Sequence, residues 1–414
     1  MKIKNFFERM FRKKNKQGPI PAAAAAGGIP ETDVTETDVT ENGVPEITEE
    51  ELRRRTRLPL WSKILYAAAA VALAVYIAAR LNVPFANFFN ENISPVFRGV
   101  LSYLTVWIPF SLAEVMIISS PVWAFFVIRY ADRHYCHNWR TVLTYVGIML
   151  SAASLMFSLF VFGLGTGYNN SALDEKLGIE KSAVAPEELH RTLNFMKDGV
   201  NEALAAEMPE FDGDGASVMP YGYREMCRRL VDAYGKICDE YSFVPRLTSR
   251  VKPVMLSKPW TYTHISGVYT YFTGEANINT NMPDYTIPFT AAHEMAHQRG
   301  ISREDEANFM AFLVCIASDD PYIRYSGYLS MFEYLANPAY SAGKEEYVSI
   351  LRELDPSAVG EMNAYNRFYE KYADSTASKI TGTVNDTFLK SQGTPGEKSY
   401  GMVVDLAVAY YREK

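Results

Sequence analysis

Apolar positions gather along this chain in three long stretches, and beyond residue 166 they recur instead at helical spacing between polar ones. Residues 60–79 read LWSKILYAAAAVALAVYIAA, a second stretch lies within 103–128, and a third, VLTYVGIMLSAASLMFSLFVFGL, occupies 142–164. About twenty residues at 1.5 Å rise cross a hydrocarbon layer of ~30 Å, whereas a helix in a soluble core keeps a polar face. The pattern predicts three transmembrane helices. A cleaved signal peptide is excluded for the first, because 59 residues precede it.

The flanking regions read differently. Residues 1–16 are basic, and they are followed by PAAAAAGG and a tandem ETDVT repeat at 31–35 and 36–40. So few large apolar residues cannot offset the entropy of ordering, so 17–50 is expected to be a disordered tail. The basic start is a candidate for anionic lipid, with a solvated tail as the competing reading. Beyond the spans, amphipathic helices are predicted at 186–207, 221–241, 288–299, 303–317, 321–336, 344–353, 357–391 and 399–412. Residues 259–281, rich in Tyr, Thr, Ile and Val with glycine punctuation, predict strands. The expected organisation is a tail at 1–58, a membrane region at 59–166 and an outer domain at 167–414. The fold class is mainly α: three transmembrane helices, then an extracytoplasmic, mostly helical α+β domain with a small sheet.

Composition and charge narrow the function. With 48% hydrophobic and 21% charged residues in 414, the chain is neither disordered nor fibrous, and a net charge of −7 argues against nucleic acid as a partner. Four scattered cysteines exclude a disulfide scaffold. Cys227 and Cys238 on one helix lie roughly 16 Å apart along its axis, beyond the ~7 Å a disulfide allows, so free thiols are expected. Arg53, Arg54, Arg55 and Arg57 precede the first span, and Arg129, Arg133 and Arg140 lie between the second and third. By the positive-inside rule the N-terminus and the 129–141 loop are cytoplasmic, the lipid bilayer is a partner, and residues 167–414 lie outside. Glu114 near the outer end of its span suits a helix N-terminus as well as a functional carboxylate. His134, Cys136 and His137 read as a solvated inner loop.

One motif carries chemistry. His293-Glu294-Met295-Ala296-His297 places two imidazoles one turn apart on one helix face, able to hold one Zn2+. Glu294 is set beside the open coordination position, where it can take a proton from zinc-activated water. A hydrolytic zinc needs a third protein ligand. Gly300 is placed to end the motif helix and Ser302 to cap the next, with Asp305 at its third position. That turn brings Glu304 and Glu306 forward as candidate ligands, pointing about 200° apart on the helix. Tyr325, Tyr328 and His264 are candidates to steady an oxyanion.

PFSLAE, YFTGEANINT, PFTAAHEMAHQRGISREDEANFMAFLVC, RYSGYL and NDTFLKSQGTPGEKSYGMVVDLAVAYY resemble a bacterial family of membrane proteins catalogued as domain of unknown function 3810, over roughly residues 60–412. Through its HExxH and following helix the chain is also similar to zincin-like metallopeptidases with a glutamate ligand. That likeness implies Glu304 as third zinc ligand, with Glu306 as the alternate. Asn308, four residues on, stands where such peptidases carry an acid that hydrogen-bonds a ligand histidine. Residues 273–279 read as an edge strand, and the likeness implies that such an edge pairs with extended substrate, with Glu275 or Asn277 holding substrate ends. The expectation is a membrane-anchored zinc peptidase of the endopeptidase type, acting on protein or peptide in the cell envelope. The alternative is a catalytically silent metallo-domain serving as sensor or peptide-binding scaffold. Glu294 argues for catalysis, since a binding module has no use for a base there.

Overall fold

Each apolar stretch forms the body of a long helix. A computed structural model of the chain describes residues 48–136, 138–373 and 375–412; the basic start, the repeat tail up to residue 47, and His137 lie outside them. Helix α1 (Glu49–Arg55) opens on the Thr48 hydroxyl, which accepts from the Glu51 amide. Its first turn is acidic and its last turn basic, which suits the helix dipole, so residues 49 and 50 belong to a helix and not to the expected tail. Then follow α2 (Leu60–Leu81), α3 (Val83–Phe88), α4 (Ser94–Thr105), α5 (Leu112–His134) and α6 (Trp139–Gly163). Three stretches, Glu49–Leu81, Leu112–His134 and Trp139–Gly163, are long and apolar enough to cross a membrane. The apolar window 103–128 straddles two helices, because the chain leaves helical geometry around Pro109 and α5 then continues through Arg129 and Arg133. Ile64, Trp123, Phe126 and Leu143 are more than half exposed, a surface that water penalises and lipid does not.

The chain divides into two compact units: the described residues up to Ala69 with Ser119–Leu155, and Ala70–Ile118 with the residues from Met156 on. In the first, the Arg55 guanidinium donates to the His134 carbonyl (2.9 Å) and the Tyr66 hydroxyl to the Gly147 carbonyl (2.7 Å). Asn138 caps α6 by accepting from the Arg140 and Thr141 amides.

The second unit holds the rest: α7 (Leu173–Leu177), α8 (Pro186–Ala206), β1 (Glu210–Phe211), β2 (Ser217–Val218), α9 (Tyr223–Glu240), β3 (Lys252–Pro253), α10 (Ser257–Thr261), β4 (Gly267–Thr270), β5 (Glu275–Ile278), α11 (Thr286–Gln298), α12 (Glu304–Ile316), α13 (Pro321–Ala342), α14 (Lys344–Glu353), α15 (Pro356–Glu370), α16 (Thr376–Ser391) and α17 (Val403–Arg412). Asp-Pro pairs start α13 and α15: Asp320 and Asp355 accept from backbone amides, and the proline supplies helical φ without a wasted donor. The expected helix at 357–391 is therefore two, separated by a turn whose Ser375 caps the second. Residues 259–261, at the start of the segment expected as strand, belong instead to the short helix α10. The core packs α8 along α13 and surrounds α11 and α12 with α9, α13 and α17. All four cysteines are free.

The sheet has the order β3-β5-β4, with β3 parallel and β4 antiparallel to β5, in the register Gly267↔Ile278 to Thr270↔Glu275. Residues 275–278, expected at an edge, are thus the middle strand and buried throughout. The edge is β4.

Candidate metal centre

Helix α11 positions His293, Glu294 and His297 against the core through Ala291, Ala292 and Ala296, all fully buried. It ends at Gly300, whose φ of +94° favours glycine and where a Cβ would lie 2.5 Å from the Arg98 guanidinium. Arg98 is itself buried and held by Asn90, donating to its side-chain and backbone oxygens at 2.9 and 2.8 Å. Ser302 does not cap α12 as expected: its hydroxyl donates to the Leu164 carbonyl (2.9 Å), and Arg303 precedes the first helical residue. This tight, anchored crossing carries the chain back so that Glu304 opens α12 directly beside the histidines.

The three side chains converge. Glu304 Oε2 lies 3.2 Å from His293 Nε2 and 3.4 Å from His297 Nε2, and the two Nε2 atoms are 3.0 Å apart. His297 Nδ1 donates to the Ile301 carbonyl (2.7 Å), which orients the ring and turns Nε2 toward the cluster. Burial works against charge on Glu304, but the adjacent histidines outweigh it and hold the carboxyl well below its ordinary range. Burial likewise pushes His297 down, and Glu304 overrides it, lifting the imidazole to about 9. The two imidazoles and one carboxylate, with ligand atoms all within 4.8 Å of one another, could hold a metal ion.

Glu294 is 4% exposed and its Oε2 has no hydrogen-bond partner. Burial raises it to about 7, against the lowering influence of the two histidines and the Tyr269 amide. It lies against Gly267 on the edge strand β4, where a Cβ would fall 2.5 Å from its Oε1. Glu294, the three cluster residues and Gly267–Tyr269 face one cavity of about 1210 Å³.

The other expected residues separate. Glu306 points away: it accepts from Arg303 (2.7 Å) and the Leu173 amide (2.9 Å). Asn308 lines the cavity but does not hold a histidine; its amide reaches the Tyr400 carbonyl at 3.5 Å, and His293 Nδ1 has no partner. Glu275 is committed to structure, pairing with the buried Lys252 and accepting from the Leu112 and Ala113 amides at the start of α5. Asn277 bonds within its own sheet, to Val268, Thr270 and Glu275. Neither lines the cavity. Glu114 is a structural pin, accepting from the Met255 and Leu256 amides at 2.8 and 2.7 Å. Tyr325 donates to Glu361 (3.0 Å) in the core, and Tyr328 packs on Gly199 and Phe312. Of the three oxyanion candidates only His264 faces the cavity, and its Nε2 is bonded to the Tyr372 carbonyl (2.8 Å).

Tyr400, which the sequence did not single out, also lines this cavity. Burial first, and then the facing Glu304 and Glu294 carboxylates, push its phenol above the ordinary tyrosine range, so it remains a proton donor. It belongs to the GEKSYGMVV segment that carries the family likeness, but no spacing links it to the motif about a hundred residues earlier. A family model described as "Protein of unknown function (DUF3810)" matches residues 89–408. No curated protein and no solved structure matches the chain.

Proposed function

We propose that this chain, which belongs to the DUF3810 family, is a membrane-anchored zinc peptidase that hydrolyses peptide bonds of envelope proteins or peptides outside the cytoplasmic membrane. One observation carries the reading: His293, His297 and Glu304 converge beside the buried, unpartnered Glu294 Oε2 in a cavity bordered by a strand edge. The two-histidine, one-glutamate donor set fits zinc, which when bound supplies Lewis acidity to a water and to the scissile carbonyl. Glu294 takes the proton from the attacking water and returns it to the leaving amine, and a carboxyl raised to about 7 by burial can do both. The outer edge of β4 offers backbone groups to an extended substrate. Tyr400 donates to the oxygen on which negative charge develops. The Ile301 carbonyl keeps His297 in the ligating tautomer. The outer location rests on the arginines flanking the spans.

Zinc content and peptide hydrolysis by the full-length protein in nanodiscs test the reading. Wild type is expected to hold about one zinc and to hydrolyse peptides, and Glu294→Gln to keep the metal and lose hydrolysis. Wild type that takes up no zinc, or equal hydrolysis by Glu294→Gln, rejects it. Membrane-impermeant labels applied to intact cells should modify residues beyond 167 and spare the 129–141 loop; the reverse pattern inverts the topology.

A further inference from the structure

A second cavity, of about 380 Å³, adjoins the first and shares with it His264, Ser266, Phe289, Thr290 and Tyr334. Phe289 and Thr290 sit about one turn before His293, so it opens ~5 Å along α11 from the ligand cluster. Its opposite wall comes from α13 and α15 and contains Glu333, Tyr365 and Tyr369. Five of its twelve lining residues carry rings, among them Tyr365 and Tyr369, 4.7 Å apart between centroids, and Phe289 and Tyr334, 6.3 Å apart.

Glu333 is the one carboxylate in this lining. The Tyr285 hydroxyl donates to it, 3.0 Å from each oxygen, leaving both oxygens with acceptor capacity. No Lys or Arg among the described residues acts on it, and the nearby Glu361 repels it. Burial holds its carboxyl up at about 7 despite the Tyr285 hydrogen bond. A carboxylate inside a ring-walled cavity recognises a cation twice, by charge pairing and through the negative faces of the rings. An acidic side chain would be repelled there, and an aliphatic one would leave the carboxylate dry and unpaired.

We propose that this second cavity is a specificity subsite for a cationic side chain of the lysine or arginine class, on a substrate residue flanking the scissile bond, with Glu333 as its specificity-determining residue. The inference rests on the peptidase reading for its position in the reaction, but recognition of the cation can be measured without catalysis.

The probes are acetylated, amidated hepta-alanine peptides carrying one lysine or one norleucine, stepped through each position. Binding is measured to zinc-loaded, full-length Glu294→Gln protein in nanodiscs, and hydrolysis to the wild type. At one position lysine should bind at least tenfold more tightly than norleucine. Adding Glu333→Gln should erase that preference by weakening lysine binding without weakening norleucine binding, and Tyr285→Phe, which removes the internal hydrogen bond and not the charge, should retain it. Equal binding of the two peptides at every position, or a preference that survives Glu333→Gln, overturns the subsite. If Glu333→Gln and Tyr285→Phe both lose norleucine binding too, Glu333 serves packing alone and the proposal falls. A Glu333-dependent lysine preference with no hydrolysis by the wild type leaves the subsite standing and rejects the peptidase reading.

Discussion

If the proposed peptidase reading holds, Gly267→Ala is a small change with a large expected cost in catalysis. A Cβ there would lie 2.5 Å from Glu294 Oε1, 2.6 Å from its Cγ and 2.8 Å from its Cδ, where ordinary contact begins at 3.4 Å. Gly267→Ala therefore displaces the Glu294 side chain by about 0.6–0.9 Å. Retreat of the whole helix is blocked, because His293 and His297 ride on it and Ala291, Ala292 and Ala296 are packed without space behind. A misplacement near 1 Å in a reacting group costs on the order of 100-fold in rate, or about 2.7 kcal/mol of barrier. Overpacking adds about 1–3 kcal/mol of lost stability, partly offset by the better strand propensity of alanine. The assay is kcat on any cleaved peptide together with zinc content and melting temperature. The expected result is an unchanged zinc stoichiometry, a modest drop in melting temperature and a roughly 100-fold lower kcat. A Gly267→Ala protein with wild-type kcat would mean that Glu294 is not confined by β4, and the argument for its placement would fail.

Three further outcomes follow from the same geometry. Glu304→Gln should lose zinc on dialysis while Glu306→Gln keeps it and loses about 1–3 kcal/mol of stability, since Arg303 and the Leu173 amide forfeit a buried charged acceptor; the opposite zinc pattern would transfer the ligand role to Glu306. Tyr400→Phe should retain zinc and lower kcat about 10²- to 10³-fold with little effect on KM, as removal of one oxyanion donor does, and an unchanged kcat would dismiss it. Glu333, raised by burial from 4.5 to about 7, binds a proton more readily folded than unfolded, so it favours folding at low pH and that contribution is lost as pH rises from about 4.5 through 7. Melting curves should therefore show Glu333→Gln gaining on wild type across that window and level above it, with Tyr285, Glu361, Tyr334, Tyr365 and Tyr369 as the titratable neighbours; a gap that does not change with pH contradicts this.

The sequence alone determined what depends on neighbours a few residues away. Span formation is a matter of local length and apolarity, so 60–79 and 142–164 were readable to within a few residues. The facing of His293 and His297 follows from 3.6 residues per turn and nothing else. Glu304 was readable only in part, because its opposition to Glu306 is a local rotation, whereas its approach to the histidines depends on the Gly300 turn seated on Arg98 and on Ser302 tied to Leu164. Tertiary structure decided the rest. A four-residue strand does not encode its neighbours, so Glu275 and Asn277 looked available until β3 and β4 closed on both sides and Lys252 claimed the carboxylate. Glu333 on α13 and Tyr400 in the 3-10 segment Gly396–Met402 reach the two cavities from far along the chain, and 27 tyrosines offer no local signal to choose among them. Dihedral preference and periodicity act over one or two turns, but which side chains face a cavity is settled by how distant helices bury their apolar faces against one another.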